Sequence, residues 1–199
     1  MRLPPAPATT WNATWRLAGG GAGSSDVAAG AEQASAPTPL ARLRDGTAVG
    51  AWLLKANPAV WDIGTALRDG TELNWWRMAR SYRTSLVAPG QPVAMWVTRG
   101  DPRTLSGVWA LGTVTGPVHE DCGDPDDTLW RDEGARRQVR PRLPVHLEVL
   151  SGVVSREEFA ADPRLAHSEI LRVPRIGNPA ALTPAEWRAL RDLAEDAGG

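Results

Sequence analysis

The run Trp52-Leu53-Leu54-Lys55-Ala56-Asn57-Pro58 decides how this chain is read. The apolar stretch from Val49 to Leu54 predicts a buried strand. Asn57-Pro58 ends it, because proline bars the preceding residue from the helical region and donates nothing to a ladder. Lys55 stands at the end of that strand and is the single lysine among 22 basic residues. Where every other cation is an arginine, this one is compact and forms no bidentate fork. A charge at a strand end beside a turn suits a pocket rim, and it equally suits a lysine snorkelling from an edge strand.

Upstream of this run the texture is different. Residues 1–44 are dominated by alanine, glycine, proline, serine and threonine around Gly19-Gly20-Gly21-Ala22-Gly23-Ser24-Ser25. Too little apolar area is present to offset ordering entropy, so a disordered tail is expected there. Trp11 and Trp15 are spaced to share one helical turn against a partner or the domain itself, but a solvated or fortuitous pair is the favoured reading. The glycine run is no phosphate loop, since no lysine follows its last glycine.

Downstream, short strand-like runs alternate with turn residues. Val93 to Thr98 and Val108 to Thr115 read as a hairpin around a loop with Gly100, Pro102 and Gly107. Asp62 to Arg68 reads as a short helix. Val145 to Leu150 and Glu169 to Val173 read as strands, with an acidic loop (Glu120 to Glu133) and an arginine group (Arg136 to Arg142) before them. Ser155-Arg156-Glu157-Glu158 is a capping box, and Thr183-Pro184-Ala185-Glu186 opens a closing helix. Strands dominate and helices decorate the connections, so the expected class is α+β on a small, partly closed mixed barrel.

Composition limits the function. At 199 residues the chain holds one domain, expected at 45–199, plus the tail. A net charge of −1 sets up no global field toward nucleic acid or anionic membrane, so such binding has to come from local clustering. The lone cysteine, Cys122, excludes an internal disulfide and a thiolate-rich zinc site and fits a reducing compartment. No signal-like segment and no run of roughly 18 apolar residues is present, so a cytoplasmic protein with no membrane partner is expected. Ten tryptophans, with Tyr82 and Phe159 as the other aromatics, exceed what packing one modest domain requires.

Three segments in order carry a resemblance: Trp52 to Pro58, then Trp76-Arg77-Met78-Ala79-Arg80-Ser81-Tyr82, then the hairpin Gly90-Gln91-Pro92-Val93-Ala94-Met95-Trp96 into Gly107-Val108-Trp109-Ala110-Leu111-Gly112. A closing Ile176-Gly177-Asn178-Pro179 and Leu182-Thr183-Pro184-Ala185-Glu186-Trp187 completes it. Together, over residues 48 to about 194, they resemble an EVE domain, of the PUA-like superfamily that also holds YTH and ASCH domains. Gly90-Gln91 departs from the family's glycine-acid pair, and the loop at 116–142 is long and idiosyncratic.

The resemblance implies a pocket for one flipped, often modified base of DNA or RNA. Such a base offers two π-faces and a polar edge. Carried over by position, Lys55, Ala56 and Asn57 edge the pocket, Trp76 stacks, Tyr82 helps hold it, and Trp130 supplies a second wall. Asn57 both donates and accepts, which suits a base edge. Trp75, the adjacent extended residue, is expected against the body. Arg77, Arg80, Arg83, Arg99 and Arg103 are the expected phosphate contacts, and a separate effector protein the expected further partner. A module for a small planar ligand without polymer contacts is the alternative.

Chemistry of bond breaking is poorly represented. His119, Asp121, Cys122 and Asp124 invite a metal, but zinc needs four placed ligands and aspartates in turns are ordinarily solvated. No strained glycine-serine-glycine elbow marks a nucleophile, and Glu157 and Glu158 complement a helix start. No enzyme, metal or cofactor is expected, with a minor nucleotide-processing enzyme as the least favoured reading.

Overall fold

The computed structural model describes residues 40–122, 124, 127–173 and 175–198. The expectation of a disordered tail falls mostly on residues 1–39, outside the described residues. Its last part is corrected: Ala41 and Leu43 pack against the core, and Arg42 bridges Ala48. Asp45 and Gly46 fold this segment back. Asp45 accepts the Thr47 N–H at 2.9 Å, and Gly46 has φ +85°, which a side chain would resist.

Seven strands form one sheet: β1 (Ala51–Ala56), β2 (Trp75–Arg77), β3 (Pro92–Val97), β4 (Gly107–Val114), β5 (His119–Asp121), β6 (Arg140–Ser155) and β7 (Ala180–Leu182). Their order is β2-β6-β4-β3-β1-β7, with β5 paired to β6. Only β1 and β3 run parallel, and the rest of the ladder is antiparallel. Register shifts at Met95/Trp96 and between Val108 and Ala110 bend the strands, and the sheet curls strongly into a half barrel. Gly112 lets β4 pass close to β6, since a Cβ there would lie 1.8 Å from His146 O.

Each face of the sheet carries a core. Trp52, Leu54, Ala56, Met95, Trp76 and Leu143 belong to one; Leu53, Trp96, Phe159, Leu165 and Leu190 belong to the other. The short helices cap the turns: α1 (Ile63–Arg68), α2 (Glu133–Arg136), α3 (Arg156–Ala161) and α4 (Glu169–Arg172) precede α5 (Pro184–Asp196). Both expected capping boxes form, at Ser155/Glu158 and Thr183/Glu186.

Three sequence expectations change. The strand expected over Glu169 to Val173 is instead helix α4 (Glu169–Arg172), with Glu169 turned inward to bind Arg83 and the Ala181 N–H. The strand expected at Val145 to Leu150 runs over 140–155, since β2, β4 and β5 all pair along it. The start of the acidic loop, Glu120 and Asp121, belongs to strand β5 (His119–Asp121).

The sheet ends, β2 and β7, are drawn together by Asn178. Its backbone O accepts the Ala79 N–H at 2.8 Å, and its amide nitrogen donates to Arg77 O at 2.9 Å and Lys55 O at 3.2 Å. The Lys55 N–H donates back to Asn178 Oδ1 at 3.1 Å. This clasp holds the end of β1 beside the end of β2.

Candidate ligand-binding site

Where β1 ends, β2 begins and the segment 127–138 folds over them, a cavity of about 580 Å³ opens. Its border includes four tryptophans: Trp61, Trp75, Trp76 and Trp130. Each reaches it by a different local device. Trp76 faces the core from β2, is 7% exposed, and donates its indole N–H to Lys55 O at 3.3 Å. Trp61 precedes the α1 cap Asp62 and meets Trp76 edge-on, with centroids 6.3 Å apart. Trp130 pairs with Trp61 through the backbone, flanked by Asp62 N–H to Leu129 O at 2.7 Å and Arg131 N–H to Val60 O at 2.9 Å.

Arg131 fastens this wall. Its guanidinium spans Asp62 (2.6 Å), Asp101 (3.3 Å) and Pro58 O (3.0 Å), tying the Trp130 segment to the turn after β1 and to the tip of the β3–β4 hairpin. Asp127 adds a second tie by accepting the Trp61 indole N–H at 2.9 Å and the Leu129 N–H at 2.9 Å. On the other side, Arg77 donates to Ala135 O at 2.8 Å and to Gln138 O, fixing the end of α2. Its guanidinium lies 4.8 Å from the Trp130 ring centre, and burial lowers its proton affinity. Among the described residues, Trp130 Nε1 and Arg77 Nε are buried without a hydrogen-bond partner.

Five of the six residues expected in the pocket border this cavity: Lys55, Ala56, Asn57, Trp76 and Trp130. Their roles differ from one another. Lys55 shares the sheet face of Leu53 and Trp96 by strand alternation, and its ammonium donates to Ile176 O at 2.6 Å. Burial pushes that ammonium below the usual lysine range. Lys55 O is the group that anchors Trp76. Asn57 Oδ1 accepts the Ala59 N–H at 3.0 Å, a turn-closing bond that leaves its NH₂ as the donor at the rim.

Tyr82 is not on the cavity border. It stands at the start of the 3-10 turn Tyr82–Leu86, with the Arg44 guanidinium 4.2 Å above its ring. Trp75, expected against the body, borders the cavity instead and carries the Arg142 guanidinium 3.9 Å from its ring centre. The physical reason is that β2 is an edge strand of three residues, whose second face is left half covered.

The expected phosphate patch is partly taken up by other contacts. Arg83 is half-buried in a bidentate pair with Glu169 (2.5 and 2.8 Å) and also donates to Pro179 O. Arg77 points inward, Arg80 pairs with Glu120 at 2.8 Å, and Arg99 approaches Glu157 at 3.5 Å. Arg103 borders no part of the cavity.

Sequence reasoning missed Trp61, Asn178 and Asp127. Trp61 had a signal: it sits just before the Asp62 cap, a position that staples a helix start to its surroundings. Asn178 stood in the closing motif of the resemblance but its role was not legible, and Asp127 had no signal, because their partners lie 123 and 66 residues away. No group of three histidine, cysteine, aspartate or glutamate side chains able to hold a metal occurs among the described residues. None of the described helices is long and apolar enough to cross a membrane.

The architecture recurs in solved structures. A hypothetical protein from Leishmania major superposes with a TM-score of 0.53 at 15% identity, covering 74% of this chain and 96% of that one. A protein from Pseudomonas putida gives 0.51 at 16% identity (72% and 99% covered), and one from Pseudomonas syringae 0.51 at 15% (72% and 99%). At such identities the likeness is one of fold. No protein-family model and no curated protein matches the chain.

Proposed function

We propose that this chain is an EVE-type, PUA-like reader that takes one flipped, chemically modified base of DNA or RNA into the tryptophan-bordered cavity without catalysing a reaction. The observation that carries the reading is the cavity itself: about 580 Å³, bordered by four indoles, at the end of the strand whose Trp52-to-Pro58 run bears the family resemblance. That volume lies within the roughly 300–1,000 Å³ of ordinary ligand clefts. Indole faces supply sequence-tolerant stacking, and the Asn57 amide and the carboxylate of Asp127 supply polar groups for a base edge. Modification is then read by shape at the rim, and any consequence of binding falls to a separate effector protein.

One observation favours the alternative, a module for a small planar ligand. Glu120 and Glu169 pair with two of the five arginines on which polymer contacts were expected to rest, and Arg77 is spent inside the cavity wall. Tryptophan-fluorescence titration separates the two, using free modified nucleosides and short oligonucleotides carrying 5-methylcytosine, 5-hydroxymethylcytosine or N6-methyladenine. The informative variant is Trp130→Leu, because Trp76 is core and its loss would unfold more than the pocket. The reader is supported if one modified oligonucleotide binds selectively and Trp130→Leu weakens it about tenfold or more, the worth of a lost stacking partner. Equal binding of modified and unmodified strands, unaffected by Trp130→Leu, would refute it.

A further inference from the structure

A base drawn out of a duplex leaves a gap in the stack, and proteins that hold bases out commonly fill or prop such gaps with an apolar side chain. The turn between α2 and β6, Arg137-Gln138-Val139-Arg140, has the make-up for this task. Gln138 and Arg140 border the cavity, and their chain neighbours Arg137 and Val139 are exposed beside them. Val139 is 49% exposed, one of few large apolar side chains so displayed among the described residues. Arginines flank it on both sides. Arg137 is 78% exposed, and its carboxylate contact to Glu133 is a loose 3.7 Å. Arg140 holds Gln138 Oε1 (3.0 and 2.5 Å) and pairs with no carboxylate among the described residues.

The turn is also preorganised. The Gln138 N–H donates to Ala135 O at 3.2 Å, Arg77 grips Gln138 O and Ala135 O from within, and Arg140 ties down the Gln138 side chain. A rigid apolar tip between two cations matches the gap in a stack with a phosphate on either side. We infer that this turn is the duplex-facing lip of the site: Val139 occupies the space the flipped base vacates, and Arg137 and Arg140 meet the flanking phosphates. The partner is thereby a double strand, and the phosphate contacts move from the expected arginines to this turn. The inference rests on the reading of the cavity as a base pocket.

The test compares full-length wild type, Val139→Ser and Val139→Leu. Ligands are a duplex with one modified base beside 2-aminopurine, the same modified strand alone, and the free nucleoside. Val139 is exposed, so melting temperatures should coincide and act as the control. Val139→Ser should weaken duplex binding roughly tenfold and suppress the 2-aminopurine rise that reports unstacking, with single strand and nucleoside held within about twofold. Val139→Leu should retain both. Duplex binding by Val139→Ser equal to wild type, or an equal loss for all three ligands, overturns the lip. If the wild type binds nucleoside but no oligonucleotide, the polymer reading fails and takes the lip with it, an outcome visible without any variant.

Discussion

Replacing Asn178 with alanine removes the side chain that holds the end of β1 against the end of β2. Three hydrogen bonds go: Lys55 N–H to Oδ1, and Nδ2 to Lys55 O and to Arg77 O. Each is part-buried. Lys55 O keeps the Trp76 indole as a donor, but the Lys55 N–H is left with no acceptor. At about 1 kcal/mol for each lost carbonyl bond and about 1–3 kcal/mol for the stranded donor, the expected cost is about 3–5 kcal/mol. For a domain of this size that lowers Tm by roughly 10 °C. Urea unfolding followed by circular dichroism measures it directly. Asn178→Asp sharpens the test, since it keeps the acceptor for Lys55 N–H yet turns a second oxygen toward two carbonyls. It should be at least as damaging as alanine. A loss below about 1 kcal/mol for Asn178→Ala would refute the argument that this clasp closes the sheet.

Further outcomes follow from other contacts. Burial raises the Glu169 pKa, but the Arg83 guanidinium and the Ala181 N–H outweigh it and leave it below the usual glutamate value. The stability it contributes is therefore full above its unfolded pKa of about 4.3 and is lost as pH falls through the folded value. Glu169→Gln should cost about 3 kcal/mol near neutrality, and denaturation curves between pH 7 and about pH 3 should show the gap to wild type shrinking with acid. An unchanging gap would contradict it. Arg131→Ala frees the Trp130 segment from Asp62, Asp101 and Pro58 O, and should weaken ligand binding while leaving the unfolding midpoint almost unchanged, because the guanidinium is exposed. Gly112→Ala forces β4 from β6 and should destabilise by at least about 2 kcal/mol in the same unfolding assay.

Much of the fold was legible along the chain because its signals are local. The strand through Trp52, the hairpin, the short helix ending at Arg68 and the two capping boxes depend on residues within a few positions of one another, and each forms within a residue or two of its expected bounds. The α4 segment was misread because a helix of four residues has too short a pattern to outweigh an apolar, β-branched composition, and its inward glutamate answers to an arginine 86 positions earlier.

The site divides in the same way. Lys55, Ala56, Asn57, Trp76 and Trp130 were identifiable as residues, and they do meet at one cavity. Which of their atoms face it was not identifiable. Pleat alternation and the Ile176 carbonyl turn the Lys55 ammonium aside, and the Asn57 oxygen is consumed by its own turn. The arginines show the limit most plainly. Sequence alone determined how many cations this protein carries and that a net charge of −1 leaves them no global field. Only the tertiary structure decided which are spent, because an ion pair such as Arg83–Glu169 depends on distance in space, and chain separation does not encode that distance.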